Sequence, residues 1–513
     1  MEVSYDAIYK HIMRKIDGML DTVYSEDSAI NALMAIIRVG SPEKAPVNLY
    51  SGFAVDGSMG YVPTSTFVVY DVKSALVPIN LSNIRTKIVE NMFLMIPSRR
   101  VRDRVLKKMS TLEAFMGLFG VRMLSNLECE RRVLLVDGLI TTPIYKVFRD
   151  LYSRLHVREG TSSETLGDLL KHVYEEVKNH WEYIAESLEN TNYLLPSNKM
   201  TTLFYSESGK SEVLKEIVNV IREGSEKVRS HEESRDLTFE TAIFVLESLE
   251  NLVLRDLLLN EAIENRVSIV GIAKRSTGYS LRGLFTLLLR KSSKDGETLI
   301  DLGESLSKML GMTDTMLVTR LLGEKNAKYL YSPFFHAYYE EPRAFRILTV
   351  AKALKNLRVS DASERKKLGF RPPYVAVSDI AMFASEVVKD TSTSTSMESL
   401  ADVLENKASE LGFYVGYARF RPYQRIYKFE VLTNSNPFDE LMSWLYAVSV
   451  SGYPQHLSLA DANAHRTKQA MGVLYGSLVD FIKKYSKHHD IIIRQIMEPH
   501  RGHLPSRGGS FIG

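Results

Sequence analysis

The sequence holds one cysteine, Cys129, in 513 residues. A lone thiol excludes an intramolecular disulfide framework and a cysteine-based zinc site, and it fits a chain kept in a reducing interior. An excess of one charge is missing too. The 65 Lys and Arg side chains nearly balance the 62 Asp and Glu, for a net charge of +3, so basic surface must come from local clustering. Uninterrupted apolar runs long enough to cross a bilayer are absent. The opening "MEVSYDAIYKHIMRKIDGML" scatters charges through an amphipathic pattern and lacks the apolar core of a secretory signal. These absences predict a soluble, cytoplasmic protein with no membrane partner. The Walker A pattern GxxxxGK(S/T) is also missing, as is any obvious short repeat, so ATP hydrolysis is not expected. What remains is an ordinary globular balance, 45% hydrophobic and 25% charged, long enough for a large core and two or three subdomains.

Periodicity divides the chain. Residues 4–38 read as helix, with Ile8, Ile12 and Ile16 on one stripe, until Pro42 and Pro46 break the pattern. Strand text follows: "LYSGFAVDGS", a turn, then "STFVVYDVKSALVPI", rich in β-branched and aromatic residues. Residues 99–124 return to helix, and "RRVLLVDGLI" reads as a short buried strand. From about 145 to 265 the pattern is helical. "VSIVGIAKRST", "FFHAYYEEPRAFRILTV" and "FYVGYARFRPYQRIYKFEVL" then read as further sheet, interrupted by the Ser/Thr-rich "KDTSTSTSM", and a final helix begins in "YPQHLSLADANAHRTKQ". The expected fold class is α/β, a mixed central sheet assembled from distant segments and flanked by helices, with a large helical insertion. The expected segments are an N-terminal helical piece (1–44), a first core part (45–150), the insertion (151–265), a second core part (266–485) and a basic tail (486–513).

Two aspartates stand where strand-like runs end. Asp56 follows Ala54 and Val55, and Asp137 follows Val133 to Val136; each precedes glycine. Either one alone reads as a turn residue. Were the two runs neighbouring strands, the carboxylates would converge, and two anions in a poorly hydrated place repel unless a cation sits between them. Hard oxygen ligands select magnesium or manganese over zinc. Glu113 is a third candidate, because it shares a helical stripe with Met109 and Met116, where an unpaired carboxylate costs several kcal/mol. Glu128 and Glu130 lie in polar text and read as solvated. Asp461 and His465, four apart on the last helix, can both reach one point. Three or four carboxylates from two strands and two helices describe a two-metal phosphodiesterase site, where an aspartate set needs no side-chain nucleophile. Lys274, ending a further strand, would offset phosphate charge. Arg419, Arg421 and Arg425 interleave with Tyr417, Phe420, Tyr423 and Tyr427, a pattern that serves either a nucleic-acid strand or an amphipathic edge strand whose rings are core.

The ordered set "FAVDGS", "MSTLEA", "LLVDG", "VGIAKRS" and "YPQHLSLADANAH" resembles the motifs of the NurA nucleases of archaea and some bacteria, over residues 50–480. The resemblance implies an RNase H-like fold and a manganese-dependent nuclease, magnesium being the alternative metal. It further implies action on single- and double-stranded DNA ends in break resection, by 5′–3′ exonuclease and single-strand endonuclease activity. As partners it implies a second copy in a homodimer and a HerA-type hexameric translocase, which agrees with a chain lacking its own ATP motif. Matched residue by residue, Asp56, Glu113 and Asp137 fall at acidic metal positions and Lys274 in the strand motif, with Arg275 beside it as a DNA contact. Tyr453 falls in the "YP" motif. The last ligand lies in the following helix, where the offset from Tyr453 favours Asp461 and the affinity of imidazole for manganese keeps His465 open. The competing expectations are a catalytically silent protein that binds DNA ends or regulates a translocase, and an RNA-directed nuclease on the same fold.

Overall fold

The structure, a computed structural model, describes residues 5–25, 30–31, 33–34, 37–64, 68–95, 101–140, 163–194, 234–274, 313–324, 327–331, 412–422, 424–433, 436–465 and 468–487. Arg275, Tyr423, "FFHAYYEEPRAFRILTV", "KDTSTSTSM" and the tail from 488 onward lie outside them.

The described strands are β1 Arg38–Gly40, β2 Ser51–Pro63, β3 Val68–Ile79, β4 Lys87–Met95, β5 Arg132–Asp137, β6 Tyr193–Leu194, β7 Val267–Ala273, β8 Tyr329–Tyr331, β9 Phe413–Ala418 and β10 Tyr427–Leu432. The helices are α1 Tyr5–Ser25, α2 Val101–Ser125, α3 Ser163–Glu189, α4 Ser234–Glu264, α5 Asp314–Glu324, α6 Phe438–Val448, α7 Gln455–Ala464 and α8 Lys468–Tyr485. One mixed sheet takes the order β1-β8-β9-β10-β7-β5-β2-β3-β4-β6. Its middle is a β2-β3-β4 antiparallel meander with β5 and then β7 added parallel to β2. Parallel neighbours need crossovers, and α2 and α4 lie in those that lead to β5 and β7.

Both faces of the central strands are covered, which explains their continuous apolar runs. Phe53, Val55, Leu134, Val136 and Ile269 pack under α2 and α4, while Ala54, Val133, Leu135, Val270 and Ile272 meet α6 and α7. Each fully buried Leu, Ile or Phe of these layers contributes roughly 1.5–3 kcal/mol. Helix α2 is enclosed, so its polar residues need partners too. Arg104 makes a bidentate pair with Glu247 of α4, at 2.7 Å for the shortest contact, and Lys108 meets Glu250 at 3.2 Å. Trp181 of α3 packs against Phe115 of α2 with ring centres 4.5 Å apart and the planes tilted by 35°.

Two local expectations change. Of the helix predicted over 4–38, Tyr5–Ser25 is helical and so are residues 30, 31, 33 and 34, but Arg38 opens a short strand, Arg38–Gly40, that pairs with β8. No turn follows "FAVDGS": β2 runs on to Pro63, paired with β3 from Gly52↔Ile79 to Pro63↔Val68. A glycine and a serine were outweighed by a full ladder and a buried partner strand. Among the described residues no helix is long and apolar enough to cross a membrane.

Candidate functional site

Asp56 is therefore an interior strand residue, and its surroundings follow from the ladder. The parallel pairing of β2 with β5 ends at Val55↔Val136. Asp56 and Asp137 are the next residue on each strand, where the two backbones part. Alternation puts both on the face of Ala54 and Leu135, toward α7. Lys274, just past the end of β7, follows the same alternation after Val270 and Ile272. Gly138 then turns the chain with φ of +111°, a conformation that favours glycine, and its N–H donates to Ile272 O at 2.9 Å.

Glu113 arrives from the opposite face. It projects from α2 over Gly57, whose missing side chain leaves the opening: a Cβ there would fall 2.7 Å from Glu113 Oε1. The Gly57 N–H donates to Asp56 Oδ1 at 2.7 Å. Sequence reading missed this function of Gly57, because "DG" is read first as a turn signal.

The carboxylates gather around an ammonium. Lys274 Nζ contacts Asp137 Oδ2, lies 3.0 Å from Asp461 Oδ2 of α7 and 3.4 Å from Asp56 Oδ2. Tyr453, in the loop before α7, donates its hydroxyl to Asp137 Oδ1 at 3.2 Å, and its ring lies 5.5 Å from the Lys274 ammonium. Tyr427 packs on Tyr453 with ring centres 5.2 Å apart and the planes tilted by 39°. Ser58 Oγ donates to the carbonyl of Ala464, tying β2 to the end of α7.

Negative charge is in surplus here. Burial, then the charges of Asp137 and Glu113, push the Asp56 carboxyl well above the ordinary carboxylate range, against the pull of Lys274. Burial first, and also the charge of Asp137, raise Glu113 to about 7, although Arg255 of α4, the Gly57 N–H and Lys274 oppose the rise. Burial alone would lower the Lys274 pKa, but hydrogen bonding to Asp137 and the charges of Asp137 and Asp56 carry it above the usual lysine value. Burial and the neighbouring anions keep the Tyr453 phenol protonated, hence a donor.

The other sequence candidates divide. Helix α7 ends at Ala464, and His465 is its exposed cap, with extended ψ of 131°. The His465 N–H still donates to Asp461 O at 2.7 Å, so His465 stands one helical turn after Asp461. Arg421 Nε donates to the carbonyls of Ser449 and Val450, and Arg425 to the carbonyl of Lys274, so the latter buttresses the site from the β9–β10 connection. Arg419 is half-buried in that same connection. Tyr417 and Phe420 are core residues, at 0% and 3% exposure, and offer no free ring face. Glu128 and Glu130 are exposed.

As placed, the side chains leave no group of three or more His, Cys, Asp or Glu poised around a single point among the described residues; the Lys274 ammonium stands between them. The donor set still fits a hard divalent cation. All four acids offer oxygen, Asp56 and Glu113 are held at raised pKa by burial and mutual repulsion, and a cation would relieve both.

The whole chain has solved structural relatives. The crystal structure of NurA bound to dAMP and manganese is 17% identical, covering 96% of this chain and 99% of that one, with a TM-score of 0.52. The crystal structure of NurA with manganese is 15% identical over 93% and 98%, TM-score 0.49. The NurA nuclease from Sulfolobus solfataricus is 12% identical over 95% and 99%, TM-score 0.44. At these identities the likeness is one of fold. No curated protein matches the chain. Residues 51–466, which hold every acid of the cluster, match the family model for the NurA domain, and the chain belongs to the NurA family.

Proposed function

We propose that this protein is a metal-dependent DNA nuclease, with manganese the favoured ion and magnesium the alternative. The observation that carries the reading is the meeting of Asp56, Glu113, Asp137 and Asp461 at the point where β2 and β5 part, inside a NurA domain. Open sheets bind ligands at the carboxyl ends of parallel strands, and the cluster lies at that end of β5 and β7. The order β4-β3-β2-β5-β7, three antiparallel strands followed by two parallel to β2, supports an RNase H-like core. A solved NurA holds dAMP and manganese together, which suits a site for a nucleotide phosphate and a hard cation.

Asp56, Glu113, Asp137 and Asp461 would hold the ion or ions, two in our reading. When bound, divalent ions neutralise the carboxylates, activate a water and stabilise a leaving oxygen. The remaining chemistry belongs to the chain. Lys274 presents a cation at the mouth of the cluster, suited to a phosphate oxygen once the acids have another counter-charge. Tyr453 fixes Asp137 through Oδ1 and leaves Oδ2 turned inward. Arg425 braces the Lys274 backbone. Single- and double-stranded DNA ends, 5′–3′ digestion with single-strand endonuclease activity, a homodimer and a HerA-type hexameric ATPase in break resection complete the proposal on the family resemblance. The missing Walker A pattern supports an external motor.

The test is degradation of single- and double-stranded DNA and RNA with manganese, magnesium or chelator, comparing wild type with a folded Asp56→Asn variant. Manganese-dependent DNA loss that the variant cannot perform supports the nuclease. Equal rates for the two would refute it, and DNA binding without cleavage in any metal would favour the silent end-binding protein.

A further inference from the structure

Helix α8 joins the candidate site to a surface that the nuclease reading does not use. Its first half is anchored beside β2: Met471 lies over Gly60, and Met471 and Tyr475 pack with Val62 and Val69. In its last turn Ile482 still packs against that core, while its neighbours Phe481 and Tyr485 stay outside it. Phe481 and Tyr485 are 61% and 62% exposed, yet their rings touch, tilted by 40° with centres 4.6 Å apart. Lys484 lies 5.2 Å over the Tyr485 ring and Lys487 is exposed around the same turn, while exposed Lys483 is shared with Asp480 at 3.5 Å. Spacing of i, i+3 and i+4 sets Phe481, Lys484 and Tyr485 on one side of the helix.

Two large rings left in water are unfavourable unless something covers them. A protein partner would call for an apolar patch with charge held to its rim, and a bilayer for a continuous apolar face. Here the lysines interleave with the rings, which matches a chain of anionic phosphates carrying flat bases. From this charge and ring pattern we infer that the Phe481–Tyr485 turn is a stacking platform for single-stranded nucleic acid, outside the carboxylate cluster. Met471 to Tyr485 spans about 20 Å of helix, so a strand held on the platform leads toward β2 and the acids over a length of several nucleotides. The substrate in question, single-stranded DNA, rests on the nuclease reading; the platform itself does not.

The experiment measures binding of fluorescent oligothymidylates to the full-length chain in chelator, so that no cleavage occurs. Lengths of about 4 and about 16 nucleotides bracket the usual span of single-strand sites. Wild type should bind the long strand more tightly. Phe481→Ala with Tyr485→Ala should weaken long-strand binding about tenfold and leave the short one unchanged. The pair Phe481→Leu, Tyr485→Leu keeps the apolar area and removes the rings, and should weaken binding similarly, while Tyr485→Phe should retain it. Lys484→Gln should lower the slope of log affinity against log salt by about one. Full binding by the leucine pair, or equal losses for both lengths, would overturn the platform. So would a change of oligomeric state on light scattering in the alanine variant, which would make the surface a contact between copies. Loss of length-dependent binding alongside normal Asp56-dependent cleavage would confirm platform and nuclease as separate; an inactive enzyme that still shows the length effect would sink the nuclease reading alone.

Discussion

Helix α2 buries charge twice, and the two instances are built in opposite ways. Toward α4, three bases meet acids, Arg104 with Glu247, Lys108 with Glu250 and further along Arg122 with Glu261 at 2.6 Å, while Lys107 is held by Ser248. Burial would raise Glu247, but the surrounding Lys108 and Arg104 outweigh it and hold its pKa below the ordinary value. Toward the sheet, Glu113 joins Asp56, Asp137 and Asp461, and these carboxylates outnumber the ammonium among them. There burial and like charge win, and the pKa values of Asp56 and Glu113 rise. Buried charge alone therefore does not mark a site. A mismatch of charge, preserved by a fold that could have paired it, does.

The comparison can be broken by mutation. The largest expected effect is on activity: Asp56→Asn should lower the manganese-dependent cleavage rate by about 10³-fold or more while the chain stays folded, measured by DNA degradation and circular dichroism. In the matched region the effect moves to stability. Glu247→Gln leaves Arg104 facing a neutral group and should cost about 3 kcal/mol in denaturant unfolding, with activity per folded molecule unchanged; Arg104→Met with Glu247→Met should recover much of it. Gly57→Ala sits between the two. The added methyl displaces Glu113, the far end of a flexible side chain, so stability should change by under about 1 kcal/mol while the rate falls about tenfold or more and the manganese requirement rises.

The two regions should also respond to pH with opposite signs. Glu113 has a folded pKa of about 7 against an ordinary 4.5, so in chelator the folded state binds the extra proton and stability should fall as pH rises from about 4.5 to about 7. Asp56 adds to the fall in the same direction. Glu247 contributes stability above its ordinary pKa that is lost as pH drops through its lower folded value. Thermal unfolding across this range should show the neutral fall flattened in Glu113→Gln and by added manganese, and the acid loss reduced in Glu247→Gln. The smallest effect belongs to His465, the exposed cap of α7. His465→Ala should shift the manganese dependence by less than about twofold, whereas Asp461→Asn should shift it clearly.

Much of the central sheet was readable in the linear text, because apolar runs such as Val133–Val136 and the pattern of β7 have no other place to go. The acids were readable for the same reason: Asp56, Glu113 and Asp137 interrupt runs that should be buried. The length of β2 was not. Gly57 and Ser58 carry turn propensity, and only pairing with β3 on one side overrides it. In the first segment the helical spacing held at residues 30, 31, 33 and 34 but overran at Arg38, where β8 supplies a strand for Arg38–Gly40 to join.

By itself, then, the sequence determined which residues must leave water and which of those carry a charge that burial cannot tolerate alone. Those are properties of side-chain type and short-range period, written locally. Whether each buried acid found a base or another acid was decided by tertiary structure, since that depends on strand order, on where β2 and β5 stop pairing, and on the single side-chain-free position through which Glu113 enters. Electrostatic energy depends on distance between groups far apart in the chain, and only the fold sets those distances.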